Sequence, residues 1–365
     1  MDWLMIAGIG GRVVVFGLGV WLVLRTLVSA TVSFVLPRSA PDPITRVVFL
    51  VIRRLFDLRT SRVRTYAARD RAMALYAPIS LLALPPVWLM LVGLGFAAMF
   101  WASGVESPAA AFKVSGSSLL TLGFAPVDGL GTTLLAFIEA SIGLVLVALL
   151  IAYLPTMYAA FARRETAVTM LEVRAGSPPS AIEMFLRYQR IRNLTELGDL
   201  WATWEVWFAD VEESHTSLAA LAFFRSPQPD RSWVTAAGAI LDAAALAAST
   251  LDIPHDPRAD LCIRAGYVAL HRISDFFGIP YNATPQLGDP ISITRAEYDA
   301  ACAELAAGNV PLKADREQAW RDFMGWRVNY DTSLLALAGL TMAPYAMWSS
   351  DRGLRPTRSK ILQKR

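Results

Sequence analysis

Ser117-Ser118-Leu119-Leu120-Thr121-Leu122-Gly123-Phe124-Ala125-Pro126 lies between two long apolar runs, Ala72 to Trp101 and Leu130 to Phe161. Just upstream, Ser107-Pro108 has the form of a helix start. A serine side chain accepts from an early helical N–H, and proline at the first helical position gives up a donor that has no intrahelical partner. A helix from Pro108 to Leu120 is about 20 Å long, too short for a hydrocarbon core of about 30 Å. The spacing therefore predicts a short helix over 108–120 and non-helical backbone over 121–125. Such backbone is tolerated at membrane depth only where protein or a water-filled cavity surrounds it.

The membrane setting follows from the distribution of apolar residues. Hydrophobic residues make up 55% of 365 and dominate the first 162 positions, after which the sequence is mixed and polar. An N-terminal membrane module followed by a soluble domain accounts for this. The first run, over residues 1–36, is interrupted by Arg12 and Arg25, which lie about 20 Å apart on a helix. They are expected to snorkel to the two interfaces, with burial against a neighbouring subunit as the alternative. The run begins without a basic region and without a small-residue cleavage site, so it reads as a retained helix and not a signal peptide. The second run carries Pro78, Pro85 and Pro86; the third has Glu139 as its charge and Pro155 near its end.

Residues 37–71 are rich in arginine: Arg38, Arg46, Arg53, Arg54, Arg59, Arg62, Arg64, Arg69 and Arg71. Arg163 and Arg164 follow the third run, whereas the second-to-third connection carries Lys113 as its base. The positive-inside rule then sets the linker and C-terminal domain in the cytoplasm and the N-terminus outside, in an inner membrane. Segment Pro43 to Leu58 has Val47, Leu50, Val51 and Leu55 at helical spacing among arginines. It is either an amphipathic helix against anionic lipid or an ordinary connector helix.

In this setting residues 72–162 resemble the pore module of the potassium-channel superfamily, whose pattern is outer helix, pore helix, Thr-Val-Gly-Tyr-Gly-Asp filter and inner helix. Here the outer helix is 72–101, the pore helix 108–120, the filter 121–125 and the inner helix 130–161. Thr121, Leu122, Gly123 and Phe124 match the first four filter positions, and Leu134 to Leu144 looks like the inner helix of bacterial two-helix channels. The resemblance implies a homotetramer with those four residues turning backbone carbonyls toward potassium or sodium, and with the Thr121 hydroxyl at the cytoplasmic end. No bound cofactor is expected, and with no nucleophile–base arrangement in the sequence no enzyme activity is expected either.

The filter mouth departs from the pattern. Ala125 stands where the family has a second glycine, and a left-handed residue with a Cβ costs about 1–2 kcal/mol. Pro126 replaces an acid and pushes Ala125 toward extended backbone. Phe124 has no hydroxyl, and Lys113-Val114 replaces the usual tryptophan pair. The expectation is weak selectivity, or closure, at this level. Gly143 is either a hinge or a close-packing point. Glu139 is expected to support the filter from behind, bonded to the pore helix; the structural alternative is a buried protonated acid with a serine such as Ser117 or Ser118 as partner.

Residues 163–350 read as an all-α cytoplasmic domain of six to eight helices. Apolar spacing marks Ile182 to Leu194, Asp199 to Val211, Leu218 to Phe224, Trp233 to Leu251 and Asp260 to Phe277. Thr294 with Glu297 is a capping box. Thr332 to Trp348 is too short for a fourth span. Residues 351–365 form a basic tail, either against anionic lipid or solvated. His215, His255 and His271 lack metal-ligand spacing, and Cys262 and Cys302 make neither a disulfide framework nor a metal site. Asp210, Glu212 and Glu213 are consecutive acids that diverge on a helix. Nothing in the sequence suggests nucleic-acid binding, and the ligand of this domain is unassigned. The rival to a channel is a non-conducting receptor or scaffold of the same topology; a membrane-anchored enzyme is the weakest reading.

Overall fold

The computed structural model describes residues 3–34, 42–60, 65–192 and 194–352. Among them the chain is helical, with one isolated bridge between Leu251 and Leu312 in place of any strand. Most of the basic tail, and linker residues 37–41 and 61–64 with Arg38, Arg62 and Arg64, lie outside the described residues. The chain divides into two compact units, Met1–Val63 with Ala72–Tyr158, and Arg64–Arg71 with Ala159–Arg365.

The first unit contains α1 (Trp3–Phe34), α2 (Pro43–Thr60), α4 (Tyr76–Ala102), α5 (Pro108–Leu119) and the first part of α6 (Leu130–Ala175); α3 (Tyr66–Ala74) precedes α4 across Leu75. Three stretches, Gly10–Phe34, Tyr66–Ala102 and Leu130–Ala175, are long and apolar enough to cross a membrane, which makes this a multi-pass membrane protein. Helix α4 continues through Pro85 and Pro86. It meets α1 where both are glycine: a Cβ on Gly19 would sit 2.6 Å from the Gly95 carbonyl oxygen. Small residues permit such backbone approach where lipid provides no hydrophobic drive between helices.

Arg25 has a partner that the snorkelling expectation missed. Its Nη2 lies 3.4 Å from Oδ1 of buried Asp42. Asp42 also caps α2 by accepting from the Thr45 N–H at 2.8 Å, and it accepts from Ser29 Oγ at 2.5 Å. Trp88 Nε1 donates to Ser29 at 3.0 Å. One linker carboxylate thus gathers donors from α1 and α2, and through Ser29 it is tied to α4.

The second unit contains α7 (Ala181–Arg190), α8 (Gly198–Ser217), a 3-10 turn (Ala219–Phe223), α9 (Trp233–Ser249), α10 (Pro257–Phe277), α11 (Arg295–Ala307), α12 (Arg316–Arg327) and α13 (Asp331–Thr341). Helix α9 is buried on all sides from Trp233 to Leu246, as a central core helix must be, with Asp242 as its buried charge. The expected capping box is present: Glu297 Oε2 accepts from the Thr294 N–H at 2.7 Å, and Thr294 Oγ1 accepts from the Glu297 N–H at 3.3 Å. Two helix ends differ from the sequence reading besides that of α6, which runs on from the expected 161 to Ala175, and one helix was absent from it. Helix α7 stops at Arg190, short of Leu194, with Arg192 at φ +56°. Helix α13 ends at Thr341, where left-handed Met342 turns the chain. Helix α12 carries Trp320, Met324 and Trp326 beside buried Ala319 and Phe323, but its third buried position is Arg327, which breaks the apolar face.

Arg164 is buried. It donates to the carbonyls of Leu221 and Phe224 at 2.7 and 2.8 Å and pairs with Glu165. Its Nη1 also donates to His215 Nε2 at 3.1 Å. Burial, and then the Arg164 charge, hold the His215 imidazole well below its usual range, so the folded ring is neutral. The unfolded ring takes up a proton near its ordinary value of 6.5. The second unit should therefore lose stability as pH falls below that value, by up to about 1.4 kcal/mol per pH unit. A melting curve of the full chain that is flat from about pH 7.5 to about pH 5.5 contradicts this.

Candidate pore segment

Ser107 accepts from the Ala110 N–H at 3.1 Å and Pro108 holds the first position of α5, as its sequence requires. Beyond Leu119 the chain folds back on the end of the helix. The N–H of Thr121 donates to the Ser118 carbonyl at 2.9 Å. The N–H groups of Leu122 and Gly123 donate to the Ser117 carbonyl at 2.8 and 3.4 Å. The Ala125 N–H donates to Ser117 Oγ at 3.1 Å. The first three of these bonds serve the orphan carbonyls of a helix C-terminus, and the last uses the Ser117 hydroxyl. Together they use the N–H groups of the segment, that of Phe124 excepted, and leave its acceptors. Among the described residues no donor reaches the carbonyl oxygens of Thr121, Leu122, Gly123 or Phe124, and all four residues are exposed. The Thr121 hydroxyl donates to the Leu120 carbonyl at 2.8 Å.

Backbone strain falls elsewhere than expected. The left-handed residues are Thr121, at φ +55°, and Gly123, at φ +70°; Ala125 is outside that region. The chain must reverse immediately after the helix, so the cost falls on Thr121, while Gly123 takes the second reversal without a Cβ clash. Pro126 is exposed just beyond.

Glu139 is fully buried and its partner is Ser115, not Ser117 or Ser118. Ser115 Oγ is 2.5 Å from Glu139 Oε1 and 2.8 Å from the Gly93 carbonyl oxygen of α4. A hydroxyl has one hydrogen to donate. Both contacts are hydrogen bonds when Glu139 is the neutral acid, donating to Ser115 while Ser115 donates to Gly93. One buried serine then joins α4, α5 and α6. Four residues on along both helices, Leu119 meets Gly143: a Cβ at Gly143 would lie 2.2 Å from the Leu119 carbonyl oxygen. Helix α6 is unbroken there, so Gly143 is where the backbone of α5 seats. Ser118 contributes its carbonyl and makes no side-chain bond among the described residues. Ser115 was missed because the sequence marks a buried acid but not which serine faces it; the four-residue step from Glu139 to Gly143 was the available clue.

The neutral-acid arrangement makes a specific prediction. Glu139→Gln keeps a donor toward Ser115 and should change stability by less than about 1 kcal/mol. Glu139→Ala, which leaves a cavity and an unmatched serine, should cost about 2–4 kcal/mol. Melting of the purified chain in detergent separates the two; equal losses would contradict the assignment.

Among the described residues no group of His, Cys, Asp and Glu is arranged to hold a metal ion. No protein-family model, curated protein or solved structure matches the chain. The fold itself defines an all-helical membrane protein with a helical domain after its last span.

Proposed function

We propose that four copies of this chain surround an axis and pass monovalent cations, potassium or sodium, between the carbonyls of Thr121, Leu122, Gly123 and Phe124. The observation that carries this reading is the division of hydrogen-bonding groups after α5: the N–H groups of Thr121, Leu122, Gly123 and Ala125 folded inward onto the helix, the carbonyls of Thr121 to Phe124 left free. Free carbonyls at membrane depth cost several kcal/mol each unless water or ions meet them. A ring of four such segments supplies ions with a substitute for their hydration shell. Helix α6 supports assembly, because only 17% of its most apolar stretch is buried within one chain. Phe137, Ile138 and Leu144 are 66%, 53% and 62% exposed, surface that lipid and neighbouring copies can cover.

On this reading the short helix enters the membrane from outside and the helical domain, in the cytoplasm, gates or assembles the pore. Helix α2 then lies along the inner lipid surface. Val47, Val51, Leu55 and Leu58 on its outer face are 50–71% exposed, with Arg54 and Arg59 exposed beside them to meet anionic headgroups.

Mass measurement in detergent tests the subunit number, and thallium or sodium flux into vesicles tests conduction. Gly123→Val should lower flux about 100-fold or more, since a Cβ at positive φ costs about 1–2 kcal/mol in each of four chains. A tetramer that passes neither ion favours the scaffold reading. A monomer, or flux indifferent to Gly123, defeats the channel.

A further inference from the structure

Residues 224–232 join the 3-10 turn to α9, and two arginines in this loop reach two different helices within the second unit. Arg225 pairs with the carboxylate of Asp70 in α3. Its guanidinium also donates to the carbonyls of Thr341 and Met342 at 2.8 and 3.3 Å. Asp70 is buried, as is most of the Arg225 side chain. Arg231 pairs with the carboxylate of Glu172 in α6 and donates to Thr169 Oγ1 at 3.1 Å. The start of the loop is pinned to α6 as well, because the Phe224 carbonyl accepts from buried Arg164. Trp233 Nε1 closes the base by donating to the Ala222 carbonyl at 3.1 Å.

These contacts sit at significant places in the chain. Asp70 comes shortly before Tyr76 opens α4, and Glu172 lies in the last turn of α6. The helices that continue into the second and third spans are thus both held by one short loop. Beside the loop is a cavity of about 20 Å³, bordered by Arg225, Ser226, Arg231, Trp233 and Thr341. It has room for about one water. Ser226 Oγ and Arg231 Nε are buried without a partner among the described residues, which gives such a water an acceptor and a donor to bind.

We propose that segment 224–232 is a coupling strap: it binds the helix entering the second span and the helix leaving the third, so that a displacement of the loop moves both. Its role in gating rests on the channel reading; the mechanical coupling does not. Two separate salt bridges would each hold only their own helix. A strap predicts that cutting one grip loosens the helix at the other.

Hydrogen exchange on the full chain in detergent distinguishes these. With Arg225→Gln, exchange should rise about tenfold or more in residues 66–74 and also in residues 168–175, which Arg225 does not touch. Arg231→Gln should raise exchange in both stretches likewise. The charge swap Asp70→Arg with Arg225→Asp should return both toward the parent. Purely local changes, each variant affecting only its own helix, would overturn the strap. Flux on the same proteins then tests the gating role: single and double removal of the Asp70–Arg225 pair should alter flux equally, by about tenfold, with ion preference unchanged. Unaltered flux in a conducting protein overturns the gating role. A chain that never conducts but shows the cross-effect keeps the strap and loses the channel.

Discussion

Gly143→Val should unseat α5, lower the melting temperature of the first unit and abolish flux. The added side chain begins 2.2 Å from the Leu119 carbonyl oxygen and 3.2 Å from its carbonyl carbon, both backbone atoms that cannot rotate away. Either α5 moves or α6 bends, and each disturbs the neighbouring rung where Ser115 meets Glu139. Overpacking of this kind typically costs about 1–3 kcal/mol, and contact with backbone sits at the upper end of that range. Thr121 to Phe124 hang from the same helix end, so a shift of about 1 Å there is enough to misplace a ring of carbonyls. Gly116→Ala is the matched control. Gly116 lies in the same helix with nothing within 4 Å of its Cβ position, and alanine should be neutral or stabilise by about 0.5–1 kcal/mol. If both variants melt and conduct like the parent, α5 does not seat on Gly143 as described.

Arg327→Met should be the most damaging single change in the helical domain. The guanidinium is fully buried, pairs with Asp242, and donates to Asp331 Oδ1 at 2.7 Å and to the Trp348 carbonyl at 2.5 Å. Tyr330 donates to the same Asp242 oxygen at 2.9 Å. Removing the cation leaves two carboxylates facing each other with no positive partner, an arrangement that costs about 3–5 kcal/mol. For a unit of this size that is a fall of roughly 10 °C in melting temperature. Adding Asp242→Leu to Arg327→Met should recover part of the loss, because a buried network replaced as a whole by apolar groups is often near neutral. A double variant worse than the single one would show that the network does more than neutralise its own charges.

Features that depend on neighbours in the chain were legible before any coordinates. The three apolar runs, the Ser107-Pro108 start of α5 and the Thr294–Glu297 box are local: each needs only a few consecutive residues and the geometry of one helix. The inward position of Arg327 on α12 was not legible, since a buried arginine reads as a surface residue until its two acids arrive from α9 and α13. At the end of α7 the apolar spacing continues past Arg190, whereas the chain turns at Arg192.

The same division runs through the candidate pore. From sequence alone come the short helix between two spans, the Thr121–Phe124 stretch at its end and the presence of a buried acid at Glu139. Only the tertiary structure decided that Ser115 faces that acid, that Gly143 is a seat for the Leu119 carbonyl, that Thr121 carries the left-handed strain, and that Asp42 holds Arg25. Periodicity and capping report which residues share a face of one element. They contain no information on which faces of two distant elements meet, and that meeting sets the hydrogen bonds, the strain and the free carbonyls on which the proposed function depends.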